Sequence, residues 1–371
     1  MSNLFFYGTL RHAPLLELVM GQTAGKLSAK PAILADHAVY SVKGQPFPMI
    51  VAEKGATADG VLVQGLGKDE LARLAFYEGG FEYDLRQLTI ETSEDGNHQA
   101  LVFFPDSEAW KTDTLWDFEA WKNDWSALSM LAAQEVMAQY GCVDASTIAN
   151  SFPAIRTRAW ARLAARERNT GDARDTNHDV VIHQRNHPYV NYFGIDEIEL
   201  QHRQYDGKMG PVLHRSGLMQ GSAVIVLPYD PRRDTVLLVE QFRAPVFLID
   251  DPEPWMWEPV AGMIDPGETP EQAAYRETQE EAHVSLSRLE YAGGAYTSSG
   301  SSTEYVYLYV GLGDLTTTVE SGGLATEGED IRSTILPFDE FMNMVDTHVF
   351  KDLPLLSLAH WLARNRERLR A

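Results

Sequence analysis

The stretch "GETPEQAAYRETQEEAHV" (Gly267–Val284) reads as one short helix. Thr269 stands at the N-cap, Pro270 suits the first helical position, and Gln272 completes a capping box. Helical spacing then puts Glu277, Glu280 and Glu281 on one face, at i, i+3 and i+4. Like charges so spaced cost an isolated helix about 0.2–0.5 kcal/mol per pair. They also occupy the last turn, where the helix dipole disfavours anions. Such a face is either a solvated acidic surface or a platform for a cation. Hard carboxylate oxygens suit Mg²⁺, which takes one or two carboxylates and keeps several waters.

The surrounding spacing decides between the two. Gly262, five residues, Glu268, seven residues, and then Arg276-Glu277-Thr278-Gln279-Glu280-Glu281 resembles the Nudix box, G-x5-E-x7-R-E-U-x-E-E-x-G-U with U aliphatic. Thr278 departs from it at an aliphatic position, and His283 stands at the second glycine. The histidine removes a residue that adopts φ > 0 at no cost, so a shifted turn after the helix is expected. "VEQFRAP", "EPVAGMIDPGE" and "GGLATEGEDI" extend the resemblance, over about 181–371, to the ADP-ribose pyrophosphatase branch of the Nudix hydrolases. The resemblance implies that Glu277, Glu281, the carbonyl of Ala261 and Glu329 hold Mg²⁺, or Mn²⁺. It implies Glu327 as the base, Glu280 as a further carboxylate of the catalytic centre, and a Glu268–Arg276 pair that ties loop to helix. Arg243 and Arg215 fall where relatives grip the diphosphate, which the guanidinium fork suits. Tyr192 and Phe193 are candidates to stack on adenine, and Glu304 joins the substrate-binding set. The implied reaction cleaves ADP-ribose to AMP and ribose 5-phosphate. A proline that ADP-ribose-preferring members usually carry is replaced by Ser299.

Outward from this region, 371 residues suggest two or three domains. A net charge of −22 argues against nonspecific binding to nucleic acid or anionic membrane. One cysteine, Cys142, fits a reducing cytoplasm, no signal peptide is apparent at "MSNLFFYGTL", and no apolar run is long enough for a membrane helix. Residues 109–180 are expected as a helical connector. Phe118, Trp121, Trp125, Leu128 and Leu131 form an apolar stripe that Gly141 ends. A second helix is expected after Ser151 with Pro153 in its first turn. Its Arg156, Arg158, Arg162, Arg166 and Arg168 are expected on a solvated face. Asn169–Asp179 is a linker, and Pro354–Leu369 a closing amphipathic helix.

Residues 1–108 alternate short strands with Gly and Pro, and "KDELARLAFYEG" reads as a helix. "FYGTLR" (Phe6–Arg11) taken alone is best read as a hairpin turn. Together with Glu78 before Gly79-Gly80, it resembles the γ-glutamylcyclotransferase-like fold. The resemblance implies a small barrel in which Tyr7, Gly8, Thr9 and Leu10 line a pocket and Glu78 is the acid/base. A fusion of this kind also resembles proteins associated with tellurite resistance. The fold expectation is therefore an α+β barrel domain, a helical connector, and a Nudix α/β/α sandwich over 181–371. A homodimer is the implied assembly. Two further readings stay open: a Nudix module that binds ADP-ribose without cutting it, and a protein whose main activity is the N-terminal cyclotransferase.

Overall fold

The computed structural model describes residues 1–22, 28–78, 83–94, 96–105, 110–168, 174–316, 322–323 and 328–371. The chain divides into two compact units, Met1–Ser216 and Gly217–Ala371. Among the described residues no helix is long and apolar enough to cross a membrane.

In the first unit, strands Ser2–Phe6, Ala29–Val42, Pro48–Leu66, Tyr83–Thr92 and Gly96–Pro105 form one sheet. Pairing of Ala29–Val42 with both Pro48–Leu66 and Tyr83–Thr92 closes it into a five-stranded barrel, and Thr112–Leu115 adds outside. Strand alternation sorts the first strand's side chains. Phe5 joins Leu34, Ile50, Leu62, Ile90 and Val102 in one core. Leu4 and Phe6 face the other way and meet Leu15, Leu16, Val19 and Leu74 from helices Ala13–Met20 and Lys68–Glu78. The expected hairpin at Phe6–Arg11 does not form. The strand runs into a 3-10 turn, Thr9–Arg11, closed by Arg11 N–H to the Gly8 carbonyl at 3.0 Å. The neighbours of Ser2–Phe6 are Pro48–Leu66 and Gly96–Pro105, both remote in sequence, so no hairpin partner follows it.

The aromatic stripe belongs to helix Phe118–Ala138, and it completes the core of this unit: Trp121, Leu128 and Leu131 are buried there. Gly141 follows at φ 81°. The second helix starts earlier than expected. It spans Ala145–Glu167, because the Asp144 carboxylate caps it by accepting from Thr147 N–H at 2.7 Å, and Pro153 lies inside it. Nor does its arginine run simply face water. Arg158 is 1% exposed and donates from Nε and Nη2 to Glu135 at 2.9 and 2.6 Å. Its Nη1 donates to the carbonyls of Asn191 and Tyr192 at 3.2 and 2.7 Å.

Those carbonyls sit where strand Val180–Val190 turns into Gly194–His202, the start of a three-stranded sheet completed by Leu213–Met219. Gln139 Nε2 adds a bond to the His187 carbonyl at 2.5 Å. These polar ties place most of the small sheet with the first unit, whereas the sequence expectation puts the domain boundary at 181. Within the sheet, His183 pairs with Gln201 and His187 with Asp196, so both are strand histidines. Of the expected linker, residues 169–173 lie outside the described residues.

The second unit is a sheet between helices. Strand Ala223–Asp230 is buried at every position and runs parallel to Tyr305–Gly313, as a strand covered on both faces should be. Ile225, Leu227 and Tyr229 meet Phe341, Leu355, Leu358 and Leu362 of helices Phe338–Asp346 and Leu353–Arg370. Val224 points to the opposite face with its partner Gly262, and helix Pro270–Ala282 lies there.

The buried Arg158 yields a prediction. Arg158→Met leaves the Glu135 carboxylate and two carbonyls without this donor. Removing one partner of a buried pair costs about 3–5 kcal/mol. Urea denaturation of the full chain followed by near-UV circular dichroism should show a loss of that order; a change below about 1 kcal/mol would mean the pair behaves as a surface one.

Candidate active site

Helix Pro270–Ala282 starts as its sequence dictates. Thr269 Oγ1 accepts from Gln272 N–H at 3.2 Å, and Gln272 Oε1 accepts from Thr269 N–H at 2.8 Å. At its other end the expected shift of the turn does not occur. His283 itself takes the left-handed conformation, φ 53°, its N–H reaching the Gln279 carbonyl at 3.2 Å, and its Nδ1 lies 3.0 Å from the same oxygen. A non-glycine residue there is uncommon, and these bonds offset its strain. Thr278 is fully buried and satisfies its hydroxyl on the Ala274 carbonyl at 2.7 Å.

Arg276 organises the carboxylates. Its Nε and Nη2 donate to Glu268 at 2.9 and 2.8 Å, and Nη2 also to the Met263 carbonyl at 3.0 Å. Its Nη1 donates to Glu277 at 2.6 Å and Glu280 at 3.1 Å. The Glu268–Arg276 pairing thus has the expected geometry, and the bond holds the Glu268 carboxyl below its ordinary range. Glu277 lies against the strand Val260–Met263. A Cβ on Gly262 would come within 1.9 Å of Glu277 Cδ, so only glycine admits the carboxylate there.

Glu281 is 2% exposed and accepts from Ala261 N–H at 3.2 Å. Burial pushes its carboxyl up to about 8; the Ala261 bond opposes this, Glu277 and Glu329 add to it, and Arg243 opposes it. Glu277 and Glu329 are therefore both close enough to repel Glu281. A buried carboxylate repelled by two others is suited to a hard cation. Among the described residues, however, no three His, Cys, Asp or Glu side chains already stand in a metal-ligating arrangement. In this arrangement Arg276 bonds Glu277 and Glu280, while the Ala261 amide bonds Glu281.

Arg243 is committed to a residue to which the motifs assign no role. Its Nε donates to both oxygens of Glu258 at 2.9 Å, and Nη2 donates to Oε2 at 2.5 Å. Asp352, which caps helix Leu353–Arg370 through Leu355 N–H at 2.8 Å, is the other missed group. Burial raises it to about 6, with Glu258 and Glu304 adding to the rise. A carboxylate just before "PVAG" and an Asp at a helix start are the signals that could have found them. Glu304 accepts from Thr297 Oγ1 at 2.7 Å, and Ser299 lies in the exposed turn before it. Glu327 lies outside the described residues. Arg215, Tyr192 and Phe193 belong to the first unit: Arg215 bonds the His214 carbonyl at 2.8 Å, and the two rings meet edge to face at 4.9 Å.

The first unit holds a separate site. A cavity of about 100 Å³ is lined by Tyr7, Gly8, Thr9, Leu10 and Glu78, among others. Burial of the Glu78 carboxyl pushes it up to about 7. The structure thus brings these five predicted residues together.

A box helix with its Glu268–Arg276 tie, laid over a glycine strand, defines a Nudix hydrolase. Residues 219–358 match the model of the NUDIX domain, and residues 4–126 that of "Gamma-glutamyl cyclotransferase, AIG2-like". The chain belongs to the ADP-ribose pyrophosphatase family: it is 33% identical over 192 residues to the ADP-ribose pyrophosphatase of Escherichia coli K12, a match that covers 52% of this chain and 91% of that protein. It is 32% identical over 186 residues to the Haemophilus influenzae ADP-ribose pyrophosphatase, 49% of this chain and 84% of that one. The GDP-mannose pyrophosphatase of Cronobacter sakazakii is 29% identical over 173 residues, 46% and 88% of the respective chains.

Two predictions come from this geometry. Gly262→Ala should displace Glu277; misplacing a reacting group by about 1 Å costs roughly 10²-fold, so steady-state hydrolysis should fall by that order while the fold persists. For Glu281, the folded value of about 8 lies above the ordinary 4.5, so the folded state keeps a proton that the unfolded chain gives up. Its contribution to stability is intact below about pH 4.5 and declines as pH rises to about 8. Glu281→Gln abolishes that decline. In buffer with EDTA, the Tm of the variant relative to wild type should therefore rise between about pH 5 and about pH 8; a pH-independent difference would show that Glu281 is ionised throughout.

Proposed function

We propose that Gly217–Ala371 hydrolyses the diphosphate of ADP-ribose, or of a related nucleoside diphosphate sugar, with Mg²⁺ or Mn²⁺ as cofactor. The observation that carries this reading is the buried Glu281, repelled by Glu277 and Glu329 beside a strand that only glycine could supply. The relatives' activities name the substrate class. Glu277, Glu281, Glu329 and the Ala261 carbonyl would hold the cation. When bound, it would neutralise diphosphate charge and lower the pKa of a water.

The chain's own residues do the rest. Arg276 fixes Glu277 and Glu280 through one nitrogen, so the two carboxylates are held in register with the loop that Glu268 anchors. Glu281 must release its proton when the site loads, which links cation affinity to pH. Arg243, held by Glu258, keeps positive charge next to the site, and Asp352 limits how much. Glu327 is the proposed base. A homodimer and a cytoplasmic location complete the proposal.

A second reading concerns the first unit. Glu78, near 7 inside its pocket, is suited to taking and returning a proton at neutral pH. On a γ-glutamyl amide the α-amine would attack the γ-carbonyl, forming the ring C–N bond as the amide C–N bond breaks. The attacking amine's proton would pass to Glu78 and from it to the leaving amine, giving 5-oxoproline and the free amine.

With Mg²⁺ and ADP-ribose, the full chain should release AMP. Glu281→Gln should lose more than the roughly 10–100-fold that removing a mere supporting partner of a metal ligand costs, and Mg²⁺ should raise the Tm of wild type but not of the variant. Near-normal turnover in Glu281→Gln would remove it from the cation set. Glu327→Gln should cost roughly 10²–10⁴-fold in kcat without changing the Mg²⁺-induced rise in Tm.

A further inference from the structure

The Glu78 cavity has one wall that its own domain does not supply. Phe47, Tyr77 and Phe103 lie inside the matched stretch 4–126, but Phe152 comes from helix Ala145–Glu167, outside both matched stretches. The mount of Phe152 is firm. Ile148, Ser151, Ile155 and Arg158 are buried on either side of it in sequence, and Ser151 Oγ bonds back to the Thr147 carbonyl at 2.9 Å. Pro153 follows directly, with a fixed φ and no N–H. Phe152 packs in part against the core of the first unit and also lines the cavity.

The lining has a consistent chemistry. Among the described residues that form it, Glu78 is the one carboxylate, and there is no Lys or Arg. The rest is the Tyr7–Leu10 loop and aromatic or apolar side chains. Away from the Tyr7–Leu10 loop and Glu78, such walls suit a flat or apolar group better than a charged one.

We infer that Phe152 determines the specificity of this pocket, selecting γ-glutamyl compounds whose leaving amine carries a bulky apolar group. The inference rests on the second reading above. Phe152 touches the leaving group; it moves no proton. Truncating it opens the wall and removes a ring face. One apolar wall discriminates by roughly 10–200-fold, so the effect is on choice of substrate more than on chemistry.

The test uses the full chain with γ-glutamyl-phenylalanine and γ-glutamyl-alanine, following release of 5-oxoproline. Wild type should favour the phenylalanine compound by about 10-fold or more in kcat/KM. Phe152→Ala should bring that ratio close to one, chiefly through KM, and Phe152→Leu should restore part of it. Near-UV circular dichroism checks that each variant keeps its fold. If both compounds are turned over and Phe152→Ala slows them equally, Phe152 is a packing residue and the inference fails while the second reading stands. If wild type releases no more 5-oxoproline than Glu78→Gln from either compound, the second reading fails and takes the inference with it.

Discussion

One guanidinium sets the geometry of the hydrolase unit. Arg276 reaches Glu268 on the loop before the helix, the Met263 carbonyl at the end of the glycine strand, and Glu277 and Glu280 on its own helix. A helix with three acids in its last turn is unfavourable by itself. Arg276 offsets part of that cost, at Glu277 and Glu280, and in doing so ties helix, loop and strand together. Its five N–H donors in a rigid fork make this possible; a lysine could not serve so many acceptors at fixed angles. Glu281, the acid held by a backbone amide instead, has its carboxyl raised by burial.

The rest of the site elaborates that constraint. The Glu277 carboxylate can lie on the strand because residue 262 has no side chain. Asp352 and Glu258 surround Arg243, so the second guanidinium of the region is balanced by acids as the first is. Around these two guanidiniums the acids, Glu258, Glu268, Glu277, Glu280 and Asp352, are the more numerous charges. That is the electrostatic condition under which a small divalent cation is attracted.

The box is legible in sequence because its rules are local. A capping box, a proline at the helix start and i, i+4 spacing depend on a few adjacent residues, and Thr269, Pro270 and Glu277–Glu281 take the predicted places. The Trp121 stripe and the closing helix follow from periodicity in the same way. What sequence hides is set by long-range pairing or by competing local effects. Arg158 reads as one of a solvated run, since its partners Glu135, Asn191 and Tyr192 are remote in the chain. Pro153 reads as a helix start, but the Asp144 cap further upstream together with the burial of Ile148, Ile155 and Arg158 carries the helix through it. His283 reads as a disruption, yet its ring and amide bonds hold the left-handed conformation. Glu258 opens the "EPVAGMIDPGE" stretch without a role attached to it, and Asp352 reads only as a helix cap; packing around Arg243 is what gives both significance.

The tie between Arg158 and the small sheet also has a consequence in time. A chain emerges from its N-terminus, and Glu135 and Arg158 are made before the carbonyls they help to hold. The Tyr192 carbonyl follows Arg158 by 34 residues. At about 5–20 residues per second, roughly 2–7 s of synthesis separate them. Through that interval the helical pair can close on Glu135, but Arg158 Nη1 has only water for a partner. The barrel and its helices are thus complete in sequence while one buried donor still waits. The nascent first unit passes through a state in which this polar tie is missing, and the strand turn at Asn191–Tyr192 is the piece that ends it.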